Sequence, residues 1–245
     1  MIKIKGYFKD KENILAIALI LYYFLIMKGG SWLTSFLINK LFSYETLEKY
    51  NLAFNIGINV IIYVMLGALI IPMSLKYIKT SYEISSYNTQ ITAKRISYGL
   101  LIMYLVSFLS SLVSAALSDA TSANQDSINA MISSRLGFLS LFIIIGFIGP
   151  IVEELIFRRA LFQVFKNNTL SIVISSLSFG LLHMTNQGGS AKDFIAVLIP
   201  YVTAGLVFSS LYVKSNRNIL VPIACHITNN TLSLLILAFS SGLIH

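Results

Sequence analysis

An all-α fold, a polytopic membrane bundle of about seven transmembrane helices (six to eight), is what the sequence predicts, on three observations. Hydrophobic residues make up 56% of the chain and charged ones only 11%, against roughly 25% charged in soluble domains. Mean hydropathy is +0.77. The apolar residues are also gathered in runs, at about 13–38, 52–75, 96–117, 137–165, 169–185, 194–213 and 219–244, and most of these match the roughly 20 residues a helix needs to cross a bilayer. No repeat, low-complexity tract or heptad seam divides the chain. Residues 1–245 therefore read as one transmembrane domain, in which 1–135 supply helices of unassigned role and 136–245 place polar groups inside apolar runs.

The first run follows a basic start, "MIKIKGYFKDKEN", in the manner of a signal peptide. The next residues, "KGGSWL", lack a small-x-small cleavage pattern, so a retained helix is expected; whether it passes through Lys28 is open at this stage. The formal charge is +8, which in a soluble protein would point to nucleic acid. Here it sorts by side. With the N-terminus in the cytoplasm, Lys3, Lys5, Lys9, Lys11, Lys76, Lys79, Lys94, Arg95, Arg158, Arg159, Lys166, Lys214 and Arg217 fall inside. Lys28, Lys40, Lys49, Arg135 and Lys192 fall outside. Thirteen against five obeys the positive-inside rule. The expected partner of this charge is the lipid bilayer and not nucleic acid, and the expected location is a cell membrane, with a composition that suggests a bacterium.

Two polar loops are expected between the runs, Lys76 to Arg95 inside and Ser118 to Arg135 outside. The single cysteine, Cys225, excludes an internal disulfide and a cysteine zinc cluster, and its apolar surroundings suit an inert packed thiol. The Asn-x-Thr matches at Asn167 and Asn229 fall in an inside turn and in a membrane run, where neither is expected to be glycosylated.

The polar groups inside the runs are few and costly. A charge near the bilayer centre costs about 3 kcal/mol on insertion scales, yet Glu153, Glu154, Arg158 and Arg159 close the fourth run, His183 sits in the fifth, and His226, Asn229 and Asn230 sit in the seventh. Glu154 and Arg158, Phe179 and His183, and His226 and Asn230 are each four residues apart, so each pair shares a helix face. If runs four and five form a hairpin turning at Asn167–Asn168, Glu153 and His183 both lie fifteen residues from Asn168. At about 1.5 Å per residue they stand at equal depth, with His226 and Asn230 approaching from run seven. The expectation is one cluster of Glu153, His183, His226 and Asn230, open to the cytoplasmic side. Each member also has a plainer reading. Glu154–Arg158 is a self-neutralised pair, His183 a satisfied core histidine, His226 and Asn230 polar glue between helices, Phe179 packing, and Arg159 a side chain that reaches headgroups. Convergence of all of them is harder to obtain by accident than any one alone.

In order, "EELIFR" (Glu153 to Arg158), "FGLLH" (Phe179 to His183) and "HITNN" (His226 to Asn230) resemble the EExxxR, FxxxH and HxxxN motifs of the CAAX-protease and bacteriocin-processing (CPBP, Abi) family of intramembrane endopeptidases. The resemblance covers about Gly146 to Leu234, and the first 130 residues carry none of it. It departs where members often have glycine after the motif arginine and this chain has Arg159. The resemblance implies a hydrolase with Glu153, His183, His226 and Asn230 as catalytic residues and Glu154, Arg158 and Phe179 in support. The chemistry of the residues agrees. No serine, threonine or cysteine is paired with an evident base, so water is the economical nucleophile. Glu153 is placed to deprotonate it, His183 to share that water or pass its proton on, and His226 and Asn230 to donate to the oxyanion.

Other readings remain open to the sequence. Glu153, His183 and His226 are also a possible catalytic zinc set, although there is no HExxH; a metal-free mechanism without a cofactor is favoured. A proton-coupled transporter would use Glu and His relays, but would be expected to show an internal repeat. A non-catalytic scaffold, such as a bacteriocin-immunity protein, would use the same helices without chemistry. The expected substrates are small peptides or membrane-protein segments, and the sequence carries no sign of prenyl binding or of oligomeric state.

Overall fold

In the computed structural model residues 10–243 are described; the basic Lys3, Lys5 and Lys9 and the terminal His245 lie outside them. Among the described residues the chain is helical without strands. We number the helices α1 Lys11–Leu41, α2 Tyr44–Lys49, α3 Asn51–Tyr87, α4 Thr89–Leu117, α5 Ala123–Met131, α6 Arg135–Phe165, α7 Asn168–Leu182, α8 Ala191–Lys214 and α9 Leu220–Ser240. Six of them, α1, α3, α4, α6, α8 and α9, are long and apolar enough to cross a membrane. The protein is a multi-pass membrane protein.

The structure settles one open point and changes several expectations in detail. The first run does pass through Lys28: α1 continues to Leu41 by loosening into a π segment at Leu25–Gly30. The fifth run is a helix of only 15 residues, Asn168–Leu182, about 22 Å long and so shorter than the roughly 30 Å hydrocarbon core. The inside loop at Lys76 to Arg95 is not a loop. It contains neither Gly nor Pro to stop a helix, so α3 runs on to Tyr87 and α4 begins at Thr89, with only Asn88 between them (φ −138°, ψ 56°). The extension has a structural use, because Ser81 and Ser85 receive the start of α9 through Ile219 N and Asn218 Nδ2 at 3.2 and 2.8 Å. The outside loop likewise contains α5, capped by Ser122.

The elements that carry the motifs are set by local signals. Lys166 takes a left-handed conformation (φ 55°) that ends α6, and Asn167 caps α7 by accepting from Leu170 N at 3.0 Å, as short polar side chains do at helix starts. A reciprocal capping box between Ser190 and Asp193 starts α8. α7 and α8 then pack backbone to backbone through small residues. Ser209 Oγ donates to Ser175 Oγ at 3.1 Å inside this contact, and a Cβ on Gly205 would stand 2.8 Å from Ser176 Cα. Small residues are how membrane helices approach this closely. We expect Gly205→Val to lower stability by about 1–3 kcal/mol through overpacking, read as a fall in thermal midpoint in detergent. Gly57, with open space around its would-be Cβ, is the control: Gly57→Ala should leave the midpoint within a degree or two.

α1 lies along the α6 half that carries the motif. Glu12 Oε2 accepts from Arg159 Nη2 at 3.3 Å, Asn13 Oδ1 accepts from Gln163 Nε2 at 2.8 Å, and Tyr23 meets Phe157 edge-on at 5.7 Å. Arg159 therefore does not simply reach for headgroups. Its guanidinium carbon sits 3.5 Å from the Tyr77 ring centroid while pairing with Glu12, which clamps α1, α3 and α6 together at the basic end of the bundle.

Candidate active site

The motif on α6 lies between two π segments, Ile144–Ile148 and Leu155–Ala160. Such wide turns are rare and tend to occur at functional positions. The first has a chemical consequence. In the π register, where Gly149 N reaches Ile144 O, the Ile145 carbonyl would be paired by residue 150, which is proline and has no N–H. Asn230 Nδ2 of α9 donates to that carbonyl instead, at 3.0 Å. A proline on one helix thus fixes an asparagine on another.

The two glutamates part company. Glu154 is fully buried and forms an ion pair with the equally buried Arg158, Nε to Oε2 3.1 Å. Arg158 also donates from Nη2 to the Gly205 carbonyl at 3.3 Å, which the missing side chain at Gly205 leaves accessible. Its Nη1 has no hydrogen-bond acceptor among the described residues. Aromatic faces surround it instead, with Cζ 4.8 Å from the Phe179 centroid and 5.3 Å from that of Phe208, contacts worth most when desolvated.

Glu153 turns the other way, into a cavity of about 230 Å³ that His183, His226 and Asn230 also line. Both histidines are held by Nδ1. His226 Nδ1 is 2.9 Å from Glu154 Oε1, and His183 Nδ1 is 2.9 Å from the Phe179 carbonyl. A carboxylate and a carbonyl only accept, so each Nδ1 carries the hydrogen, which leaves Nε2 as the acceptor when the ring is neutral. His226 Nε2 points to Glu153, 3.8 Å from its Oε2. Ring packing fixes the planes: Phe208 stacks on His226 at 4.6 Å, and Tyr201 on His183 at 4.6 Å. Phe179 fills the space between, 4.7 Å from His183 and 5.8 Å from His226.

All seven residues singled out in the sequence are thus placed. Glu153, His183, His226 and Asn230 face the cavity, Phe179 lines its floor, and Glu154 and Arg158 lie behind them. The direction of access differs from the expectation. Below Glu153, toward the α6–α7 turn, Ile156, Phe157, Arg158 and Phe162 are completely buried. The cavity instead extends past Tyr201, Asn229 and Ser233 to Asn124 and Gln125 in the connection from α4 to α6, the loop that the charge count puts outside. Tyr201 Oη ties that connection down through Ser122 Oγ at 2.7 Å. Tyr201, Asn124 and Gln125 have no place in the sequence reading, because no spacing along one helix announces a contact between different elements. Asn229 had a signal, an amide inside an apolar run; it bonds Asn230 Oδ1 at 3.2 Å.

Among the described residues no group of three His, Cys, Asp or Glu side chains is arranged to hold a metal ion.

Residues 135–232 match the family model described as type II CAAX prenyl endopeptidase Rce1-like. All three motifs lie in this segment, as the resemblance of the residues implied, and it begins with α6. Curated relatives align over stretches of similar length. An uncharacterised protein of Mycoplasma capricolum is 36% identical over 104 residues, 42% of this chain and 29% of that protein. The "Putative membrane peptidase YdiL" of Bacillus subtilis is 34% identical over 92 residues, 36% of this chain and 34% of that protein. The UPF0177 protein YajF of Lactococcus lactis is 29% identical over 97 residues, 40% of this chain and 44% of that protein. The chain thus spans less than half the length of these relatives. No solved structure matches it.

Proposed function

We propose that the protein is an intramembrane endopeptidase that hydrolyses peptide bonds with a water activated by Glu153, without a metal or other cofactor. The observation that carries this reading is the shared cavity in which one carboxylate, two imidazole Nε2 atoms and an asparagine amide face the same space while Glu154, the Phe179 carbonyl and the Ile145 carbonyl hold the other side of the two imidazoles and the amide. Polar groups anchored at one end and free at the other are preorganised for chemistry. The Rce1-like match and the relative named as a membrane peptidase support the reaction class.

In this mechanism a water sits against Glu153 Oε2 and His226 Nε2. Glu153 takes one proton, and His226 accepts a hydrogen bond from the other and so orients the oxygen. The hydroxide adds to the peptide carbonyl carbon. Asn230 uses one amide hydrogen on Ile145 and donates the second to the oxyanion. The proton on Glu153 passes by way of His183 Nε2 to the leaving nitrogen, and the C–N bond breaks. His226 is here a water-orienting acceptor and not the oxyanion donor that its spacing suggested, because Glu154 commits its only hydrogen in the neutral ring.

The substrates we assign are small peptides or membrane-protein segments in a bacterial cell membrane, with the N-terminus of the chain in the cytoplasm on the strength of the lysine and arginine asymmetry. Comparative peptidomics of membranes carrying the wild-type chain or Glu153→Gln tests the function: new termini present only with wild type support it, and identical peptide profiles end it. Metal content is checked on the assayed sample. Activity is expected to survive purification in chelator, with substoichiometric zinc in the active protein. Near-stoichiometric zinc, lost together with activity and restored with it, would make Glu153, His183 and His226 ligands.

A further inference from the structure

The two ends of the bundle differ in charge, and the cavity meets only one of them. At the end formed by the α3–α4, α6–α7 and α8–α9 turns stand nine described cations, Lys11, Lys76, Lys79, Lys94, Arg95, Arg159, Lys166, Lys214 and Arg217, against the acids Asp10, Glu12 and Glu83. At the opposite end, Lys28, Lys40, Lys49, Arg135 and Lys192 are matched by Glu45, Glu48, Asp119, Asp126 and Asp193. Lysine and arginine excess marks the cytoplasmic side of a membrane protein. On the way from that basic end to Glu153 the path is filled: Arg158, Phe157 and Phe162 have no exposed surface, and Arg159 is locked between Glu12 and Tyr77. Toward the other end the cavity lining continues through the amides of Asn229 and Asn124 to Gln125, which is exposed. Side-chain amides both donate and accept, as the backbone of an extended peptide requires.

We propose that the cavity takes its substrate from the membrane face opposite the basic one, so that the peptides it receives are segments exposed outside the cytoplasm and not cytosolic chain ends. This rests on reading the cavity as the hydrolytic site. The test uses the full-length chain in intact spheroplasts and a membrane-impermeant maleimide. Gln125→Cys at the rim and Ser233→Cys within the cavity should be labelled from outside, while the exposed Lys214→Cys should label only after permeabilisation. The wild type, whose single cysteine Cys225 is buried, should stay blank throughout. Labelling of Lys214→Cys from outside with protection of Gln125→Cys overturns the orientation. Labelling of Gln125→Cys but not Ser233→Cys overturns the open path. The second arm adds a library of impermeant quenched-fluorescent peptides outside the cells. Cleavage that requires Glu153 supports the proposal, and cleavage seen only when the same peptides are given to permeabilised cells overturns it. A purified protein that cuts none of them in detergent counts against hydrolysis itself, and the labelling arm still decides which way the cavity faces.

Discussion

Glu153→Gln is expected to abolish turnover while leaving the protein folded, with a loss on the order of 10⁴-fold, the upper end of what a positioned general base contributes. The reason is local. Glu153 faces the cavity, is 7% exposed at its side chain, and among the described residues forms an ion-pair contact only with His226, at 3.8 Å. Glutamine keeps the shape and removes the base, and no hydrogen bond that holds the helices together is lost. Thermal midpoints in detergent should therefore coincide while peptide cleavage disappears; a fully active variant ends the assignment. His183→Ala and His226→Ala are expected to be similarly inactive. Asn230→Ala should show a smaller loss, about 10²-fold for one oxyanion donor, together with reduced stability, because the Ile145 carbonyl beside Pro150 then has no donor.

Glu154→Gln has the opposite signature. Its side chain and that of Arg158 are both 0% exposed, so removing one charge strands the other in an apolar interior, a change that costs about 3–5 kcal/mol. Glutamine still offers an oxygen to His226 Nδ1, so the loss isolates the charge from the hydrogen bond. Arg158→Met should be comparably destabilised, since it leaves Glu154 uncompensated and the Gly205 carbonyl without its donor. The double variant, Glu154→Gln with Arg158→Met, should be more stable than either single one, because neither member of the pair is left as an uncompensated charge. Equal midpoints for wild type and both single variants would remove the bracing role of the pair.

Much of the site is legible along single helices. The four-residue spacings of Glu154 and Arg158, Phe179 and His183, and His226 and Asn230 place partners on one face, and the structure connects the first two pairs directly, by an ion pair of 3.1 Å and a bond from His183 Nδ1 to the Phe179 carbonyl. The depth argument also brings Glu153 level with His183, because both are fifteen residues from a turn that Lys166 and Asn167 fix locally. What cannot be read this way is which partner each group takes on another helix. His226 was free to meet either glutamate; only the packing of α9 on α6 gives Nδ1 to Glu154 and Nε2 to Glu153, and with that the tautomer. Pro150 and Asn230 are eighty residues apart, and their complementarity exists only once a π turn exposes the Ile145 carbonyl.

By itself, then, the sequence determined the all-helical membrane class, the basic end and the candidate polar and aromatic residues, all of which follow from composition and from periodicity within one element; it read seven spanning runs where six helices are long enough to cross. The tertiary structure decided the rest. It set the short α7, the continuous α3 to Tyr87, the clamp of Arg159 between α1 and α3, and the residues that line the cavity. Those depend on how side chains from separate helices fill or leave space. A cavity is a property of what several elements fail to fill together, and no stretch of chain carries it alone.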